Sequence, residues 1–452
     1  MPTSVAQRLF DEVVQPGICT GCGACCAFSA SKTRMEYTPH GPVPVFDSTM
    51  ALPELAWEAC PGKGVGYADL YRQHYGKLPE NWLLGPVVKA RVAYAADPEI
   101  RRGSSSGGVI TRVLVHLLAS GKVDAAIVVR QGLPSPEQAR VVLAGTVDAL
   151  RACSQSVYIP VSVLDILPLL EDGKRYAITC LPDQAAALRR LQLAGHPKAK
   201  LIQFVLGPYT GTALYPAAIH SFLRSWGVPA NDPVVSLQWR AGEWPGYLEI
   251  RTQSGRVIRS LKFYYNYLIP FFITQNSLQG MDFANEFCDL SAGDAWSPQY
   301  EQQGGGYSVV LTRTPAMEAI VAEMIQHGEL VAEEVEPLKA AEMHGHMIDF
   351  KKRGSYVRNR IRQRLGLKAP DHGLRPVPLP VSRVLVELVI FTIFLVCRSR
   401  WLHWLVERLP EKVIGPCFNR FRLAWKGFSK PAKRKGLKQL TMLETEPQKP
   451  SL

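Results

Sequence analysis

The sequence predicts a mixed α/β protein. A central, largely parallel sheet with crossover helices is preceded by a cysteine-bearing loop segment and followed by an additional β-hairpin and an amphipathic helical tail. Three observations lead there. Between residues 91 and 208, short apolar runs of strand type alternate with stretches of helical spacing, as in strands joined by crossover helices. Beyond residue 230 the pattern turns to a hairpin. From residue 383 onward an apolar helix runs into a basic stretch. A chain of 452 residues with 47% apolar side chains has room for two or three domains with ordinary cores.

Residues 1–85 read as an irregular segment and 86–350 as the α/β domain. In that domain "RVAYAAD" at 91–97 is a strand, "PEIRRGSSSGG" a Gly/Ser loop, and "VITRVLVHLLASG" a helix whose Gly121 suits a C-cap. "KVDAAIVVR" is a second buried strand. "RYAITC", "LPDQ" and "AAALRRLQLAG" repeat the strand–loop–helix unit, stopped by Gly195, and "KLIQFVLG" is a further strand. "YLEIRTQSGRVIRSL" turns back at Gln253-Ser254-Gly255. "FYYNYLIPFF" reads as packed helix, though it could wall an aromatic substrate. "GYSVVLTRT" and "PAMEAIVAEMIQHG" supply another strand and helix. Residues 351–382 are a helix and Pro-rich linker, with "RPVPLPVS" at 375–382 as its stiff part, and 383–452 are an apolar and basic tail.

The N-terminus has no basic stretch followed by an apolar core, so it does not read as a secretory signal. Ten cysteines are too few for a disulfide scaffold. Both points suggest a reducing cytoplasm, where clustered cysteines serve metal or redox chemistry. In "GICTGCGACC", Cys19, Cys22 and Cys25 are spaced C-x2-C-x2-C. That spacing turns three thiolates onto one face of a cubane, with Gly21 and Gly23 supplying the backbone angles. Cys60, followed by Pro61, is the expected fourth ligand of one 4Fe–4S cluster. Cys26 is its rival, although adjacent residues rarely point at one metal. Zinc is the alternative, although it more often takes two separated C-x2-C pairs.

Two further motifs suggest a ligand. Ser104, Ser105, Ser106, Gly107 and Gly108 stand before a helix and could cradle phosphate there. The loop is neither a P-loop nor a dinucleotide fingerprint, and a plain chain turn is the competing reading. In "SAGDAW", Gly293 permits close backbone approach, Asp294 can accept from a ribose or ring N–H, and Trp296 can stack. A tight turn with a packed Trp competes. His344 and His346 lack a third metal ligand and read as a polar turn. Cys153, Cys180 and Cys288 read as packed thiols.

In order, C-T-G-C-G-A-C, S-S-S-G-G-V-I-T, L-P-D-Q-A-A-A-L-R and D-L-S-A-G-D-A-W resemble the family of coenzyme F(420)-reducing hydrogenase/dehydrogenase beta subunits. That family includes reductases of chlorophyll intermediates. The resemblance covers about residues 15–350. It implies FAD, iron–sulfur clusters and electron transfer with a reducible ring substrate and a redox partner protein or reduced carrier. Carried over, Cys19, Cys22, Cys25 and Cys60 resemble cluster ligands, Ser104 to Gly108 the flavin-phosphate loop, and Gly293, Asp294 and Trp296 a second flavin contact. The chain departs from the pattern at Asp183, Leu206, Ser277 and Gly280, where ligands of a second cluster would stand, and at Val157, where the family has Lys. The expectation is an iron–sulfur flavoprotein oxidoreductase. A binding or assembly protein that kept the fold and one metal site is the alternative, and a zinc-stabilised interaction module a third.

Residues 398–438 hold 12 Lys/Arg and two Glu, most of the chain's net charge of +13, and the rest is near neutral. This distribution argues against a broad nucleic-acid surface on the body. After Glu387 the uninterrupted apolar run is only Leu388 to Cys397, short of the about 20 residues a spanning helix needs. With Trp401, Trp404 and the basic stretch, the tail suits the anionic inner face of a membrane. A core-packed or partner-binding helix is the competing reading.

Overall fold

The structure, a computed structural model, describes residues 4–28, 33–47, 51–262 and 264–445. Its centre is an eight-stranded sheet in the order Leu330–Glu334, Lys89–Ala95, Ser308–Thr312, Leu290–Asp294, Ile202–Pro208, Tyr176–Thr179, Ala125–Gln131, Ala139–Ala144. The four strands from Leu290–Asp294 to Ala125–Gln131 pair in parallel. The flanking pairs are antiparallel. Two successive reversals bring Lys89–Ala95 back to the common direction, so five of the eight strands end at the same edge.

Alternation along the strands builds two cores, because successive side chains point to opposite faces. Ile127, Ile178, Val205, Val309 and Leu311 pack with the helix Pro182–Leu193. Ala126, Val128, Ala177, Leu206 and Val310 pack under the helix Val109–Ala119. Leu188 and Leu191 are fully buried, each contributing about 1.5–3 kcal/mol. The strands Ala139–Ala144 and Leu330–Glu334 were not legible in the sequence. They are the two edges of the sheet and leave Leu143 and Val331 exposed, so neither has a continuous apolar run.

The expected hairpin, Tyr247–Thr252 with Val257–Leu261, gains a third strand, Val234–Ala241. This small sheet has its own core around Phe222, Trp239, Ile250 and Tyr267. The aromatic segment packs there as the short turns Tyr265–Leu268 and Ile269–Phe272, and its Phe263 lies outside the described residues.

Two expectations need correction, and a third region gains detail. Residues 1–85 are not irregular: Thr33–Thr38 pairs with Gly41–Phe46, and Tyr67–Tyr75 is a helix. Pro42 and Pro44 masked the hairpin, although a two-stranded ribbon tolerates proline on its outer edge. The supposed linker is also structured. Leu374–Val377 pairs with Thr441–Glu444, and Arg72 clasps Glu444. Finally, the tail is rooted in the body. The helix Val381–Cys397 sinks Arg383 and Glu387 among Asp349, Arg353 and Arg358, all almost wholly buried. Asp349 accepts from Arg353 at 2.6 Å and from Arg383 at 2.7 Å, and Arg383 reaches Glu387 at 2.7 Å. The helices Arg400–Val406 and Glu411–Arg434 follow. Among the described residues no helix is long and apolar enough to cross a membrane.

Candidate functional site

The cysteine loop lies against the turn Leu164–Leu169, and the Leu164 N–H donates to the Cys22 carbonyl at 3.0 Å. Gly21 and Gly23 adopt φ of +69° and +86°. A Cβ on Gly21 would fall 2.8 Å from the Pro42 ring and one on Gly23 2.6 Å from the Asp165 nitrogen. Glycine is therefore required for both conformation and room. So held, Cys19, Cys22, Cys25 and Cys60 line one cavity with apolar walls from Val13, Met35 and Phe46. Cys60 arrives just past the helix Glu54–Glu58. Cys26 is absent from the lining and is buried behind it, hydrogen-bonded with Cys25.

Among the described residues no three His, Cys, Asp or Glu converge as ligands of a single ion would. The four thiols share the lining of one cavity, and a cluster takes each of its cysteines on a different iron. Backbone N–H groups point at the sulfurs: Gly21 to Cys19 at 3.4 Å and Ala24 to Cys22 at 3.5 Å. Burial pushes the Cys19, Cys22 and Cys60 thiols up, Cys60 to about 11, and the neighbouring cysteines add to it. The Cys25 thiol is pushed up first by the hydrogen bond it donates to Cys26, then by burial. Four thiolates in so apolar a place need a positive partner, which a metal cluster supplies.

The second candidate lies at the sheet's carboxyl edge, where open α/β sheets bind ligands. The Ser/Gly loop is shorter than expected, because Pro98–Gly103 forms a helix turn capped by Asp97. Ser104 to Gly107 then lead through Gly108, at φ +76°, into Val109–Ala119. Across the edge, Ser308 stands opposite Asp294 in register. Its hydroxyl accepts from the Gly107 N–H at 3.0 Å and bonds Ser106 at 3.0 Å. The two sequence motifs are therefore neighbours.

Their atoms are more committed than the sequence suggested. Ser104 donates to the Ile100 carbonyl and Ser106 to the Tyr307 carbonyl, both at 2.8 Å, while Ser105 accepts from the Ser156 N–H at 2.7 Å. A Cβ on Gly107 would meet the Ala93 carbonyl at 2.6 Å, and one on Gly293 would run into the Tyr209 ring. Both glycines admit close approach by protein, where the sequence had suggested approach by a ligand.

The sequence reading missed the partners of Asp294. Arg240 reaches its carboxylate at 3.2 and 3.3 Å, the Trp244 indole N–H donates at 2.7 Å, and Lys262 lies at 3.8 Å. Arg240 also donates to the Tyr158 hydroxyl at 3.2 Å. Trp244 packs on Trp296 at 4.8 Å, with Lys262 over the Trp296 ring at 4.7 Å. Burial pushes the Asp294 carboxyl up, but Lys262 and Arg240 outweigh it and hold the group at about 2. The same two cations override burial at Tyr158 and bring its hydroxyl below the usual range. Two cations around one carboxylate leave positive charge to attract an anion. No local signal marks Arg240, which sits inside an apolar strand.

His344 lies in a turn, as expected, but the turn is not a solvated one. The His344 ring is buried between the Tyr209 and Phe283 rings, 5.1 and 5.2 Å away. Its Nε2 and the Tyr209 hydroxyl are buried without a hydrogen-bond partner. Orphaned polar atoms, half-exposed serines and spare positive charge fit an anionic, ring-bearing ligand at this edge, and FAD is one. The second-cluster positions are filled by packing. Ser277 accepts from the Ala213 N–H at 2.9 Å and its carbonyl holds Lys351 at 2.7 Å. Gly280 follows the short helix Gln275–Gln279, and its N–H donates to the Asn276 carbonyl at 2.9 Å.

Two family models match the chain, both for the beta subunit of coenzyme F(420) hydrogenase/dehydrogenase. The model of its N-terminal part matches residues 90–168, and the model of its C terminus matches 173–338. The chain is 22% identical over 370 residues to the F subunit of the F(420)H(2) dehydrogenase of Methanosarcina mazei, covering 78% of this chain and 94% of that protein. The F(420)-reducing NiFe hydrogenase complex from Methanosarcina barkeri contains a polypeptide with the same fold, with a TM-score of 0.51 at 20% identity, over 65% of this chain and 98% of that one. The two models together take in more than half of the sequence, including the whole carboxyl edge of the sheet. The chain belongs to the family of coenzyme F(420) hydrogenase/dehydrogenase beta subunits, which are components of oxidoreductases.

Proposed function

We propose that the chain is an electron-transferring component of an oxidoreductase. It holds one 4Fe–4S cluster on Cys19, Cys22, Cys25 and Cys60, and FAD between Ser104–Gly108 and Gly293–Trp296. The observation that carries the reading is the convergence of four thiols on one cavity, with Cys60 drawn in from a distant segment. When bound, the two groups supply a one-electron relay and a one- or two-electron exchange with a reducible substrate. The protein's part is placement. Met35 and Phe46 keep water from the sulfurs, and the Gly21 and Ala24 N–H groups offset their charge. At the sheet edge the start of Val109–Ala119 receives phosphate, Arg240 and Lys262 balance negative charge, and Trp296 walls the ring.

Electrons pass to or from a redox partner protein, as befits a relative of complex-forming proteins. The tail rests on the anionic inner face of a membrane, with Trp401 and Trp404 exposed beside its basic residues. A second reading, an assembly protein with one cluster and no flavin, is favoured by the commitment of the three serines to protein partners. The absorption spectrum of anaerobically purified protein tests both. Two visible flavin bands over a shoulder bleached by dithionite support the oxidoreductase. The shoulder alone supports the assembly protein, and neither feature overturns both.

A further inference from the structure

The helices Val381–Cys397 and Glu411–Arg434 leave a groove of about 530 Å³ between them. Small-molecule sites run to roughly 300–1,000 Å³, so this is more than a packing defect. Leu385, Val389, Trp425, Phe428 and Pro431 line it, and Lys435, which follows the second helix, completes it. Leu385 is 57% and Phe428 77% exposed, so the apolar lining opens to solvent. Scattered exposed apolar residues need no explanation, but a continuous apolar groove does.

Charge and polarity say what covers it. The second helix carries Lys426, Lys430, Lys433 and Arg434 near the groove. Its one acid, Glu411, is buried at the far end on Ser260. Lys433 faces the buried carboxylates of Asp349 and Glu387, but no acid of the helix itself offsets Lys426, Lys430 and Arg434, and this excess calls for an anion. Besides Lys435 the polar groups of the lining side chains are the Ser382 hydroxyl and the Trp425 indole N–H, too few to satisfy a peptide backbone. An alkyl chain needs no such partners. The matched family models end at residue 338, so this feature lies outside them.

We infer that the groove seats an acyl chain of an anionic membrane phospholipid, with Lys435 and the neighbouring cations against the headgroup phosphate. This rests on the proposed membrane association, and it adds anchoring that salt does not reverse. The test is flotation of the full-length protein with vesicles of phosphatidylcholine and phosphatidylglycerol at low and high salt. The vesicles carry a trace of phospholipid with a photoreactive acyl chain. The variants are the pair Leu385→Asp/Phe428→Asp and, off the groove on the same helix, Phe421→Asp, all at exposed positions. Wild type and Phe421→Asp should float at both salt concentrations, with label on peptides containing 382–389 and 425–435. The double variant should float at low salt and lose at least tenfold at high salt.

If the double variant holds as well as wild type at high salt, or if label falls elsewhere, the groove assignment fails and membrane association stands. If wild type does not float even at low salt, both fail. A lipid-free dimer lost in the double variant would make a second copy of the chain the occupant and overturn the proposal.

Discussion

The cysteine cavity and the sheet edge are assembled in opposite ways. Three of the four thiols come from one seven-residue stretch, and two left-handed glycines aim them. At the edge the charge comes from the small sheet, the serines from one crossover and the carboxylate from another strand, joined through Ser308 and Arg240. In the first site the spacing is itself the site. In the second, each residue acquires its role only from partners far away in sequence. A compact motif can thus be read from letters alone, whereas a site built across elements shows in the sequence only as scattered, weak signals.

The sharpest way to break this contrast is at the thiols. Cys22→Ala should remove the iron and the dithionite-bleached absorbance entirely, whereas Cys26→Ala should keep both, because Cys26 lies off the cavity. Iron analysis decides it, and equal loss from both changes would return Cys26 to the ligand set. At the edge, Asp294→Asn leaves Arg240 buried without its carboxylate and should cost about 3–5 kcal/mol in denaturant unfolding. A change within about 1 kcal/mol would show that the edge is less interdependent than described.

A pH titration of stability gives a smaller effect. Asp294 is held near 2, below the ordinary 3.8. The stabilisation is therefore complete above pH 4 and is lost as pH falls through 2, amounting to about 2 kcal/mol. The Asp294→Asn protein should lack that component. The smallest effect is expected from Ser105→Ala, which removes the acceptor for the Ser156 N–H and should cost about 1 kcal/mol. If Ser105 also holds phosphate, flavin content measured after gel filtration should fall with it.

The fold was legible where strands are buried on both faces. The runs at 125–129, 176–178 and 204–206 are apolar at every position because each lies between two helical layers. The edge strands and the proline-bearing hairpin Gly41–Phe46 were hidden, because half-covered strands need no such run. Gly107 and Gly293 were rightly singled out as close approaches, but to Ala93 and Tyr209. Sequence shows that a glycine is needed without showing what comes near it. Arg240 and Lys262 were missed because a cation inside or beside an apolar strand looks like an interruption until the facing carboxylate is known.

The buried ion network has a consequence for how this protein is made. Asp349, Arg353 and Arg358 precede their partners Arg383 and Glu387 in the chain. A ribosome therefore delivers the sheet and both candidate sites while Arg358 still lacks its carboxylate and Asp349 has only Arg353. The Arg353 guanidinium is further closed by the carbonyls of Lys433 and Lys435, later still. A chain that stalls or is cut before those residues would carry exposed, unpaired charge where the finished protein has a sealed interior. Such a fragment should be cut by proteases more readily than the finished protein, because Arg358 lacks Glu387 and Asp349 lacks Arg383.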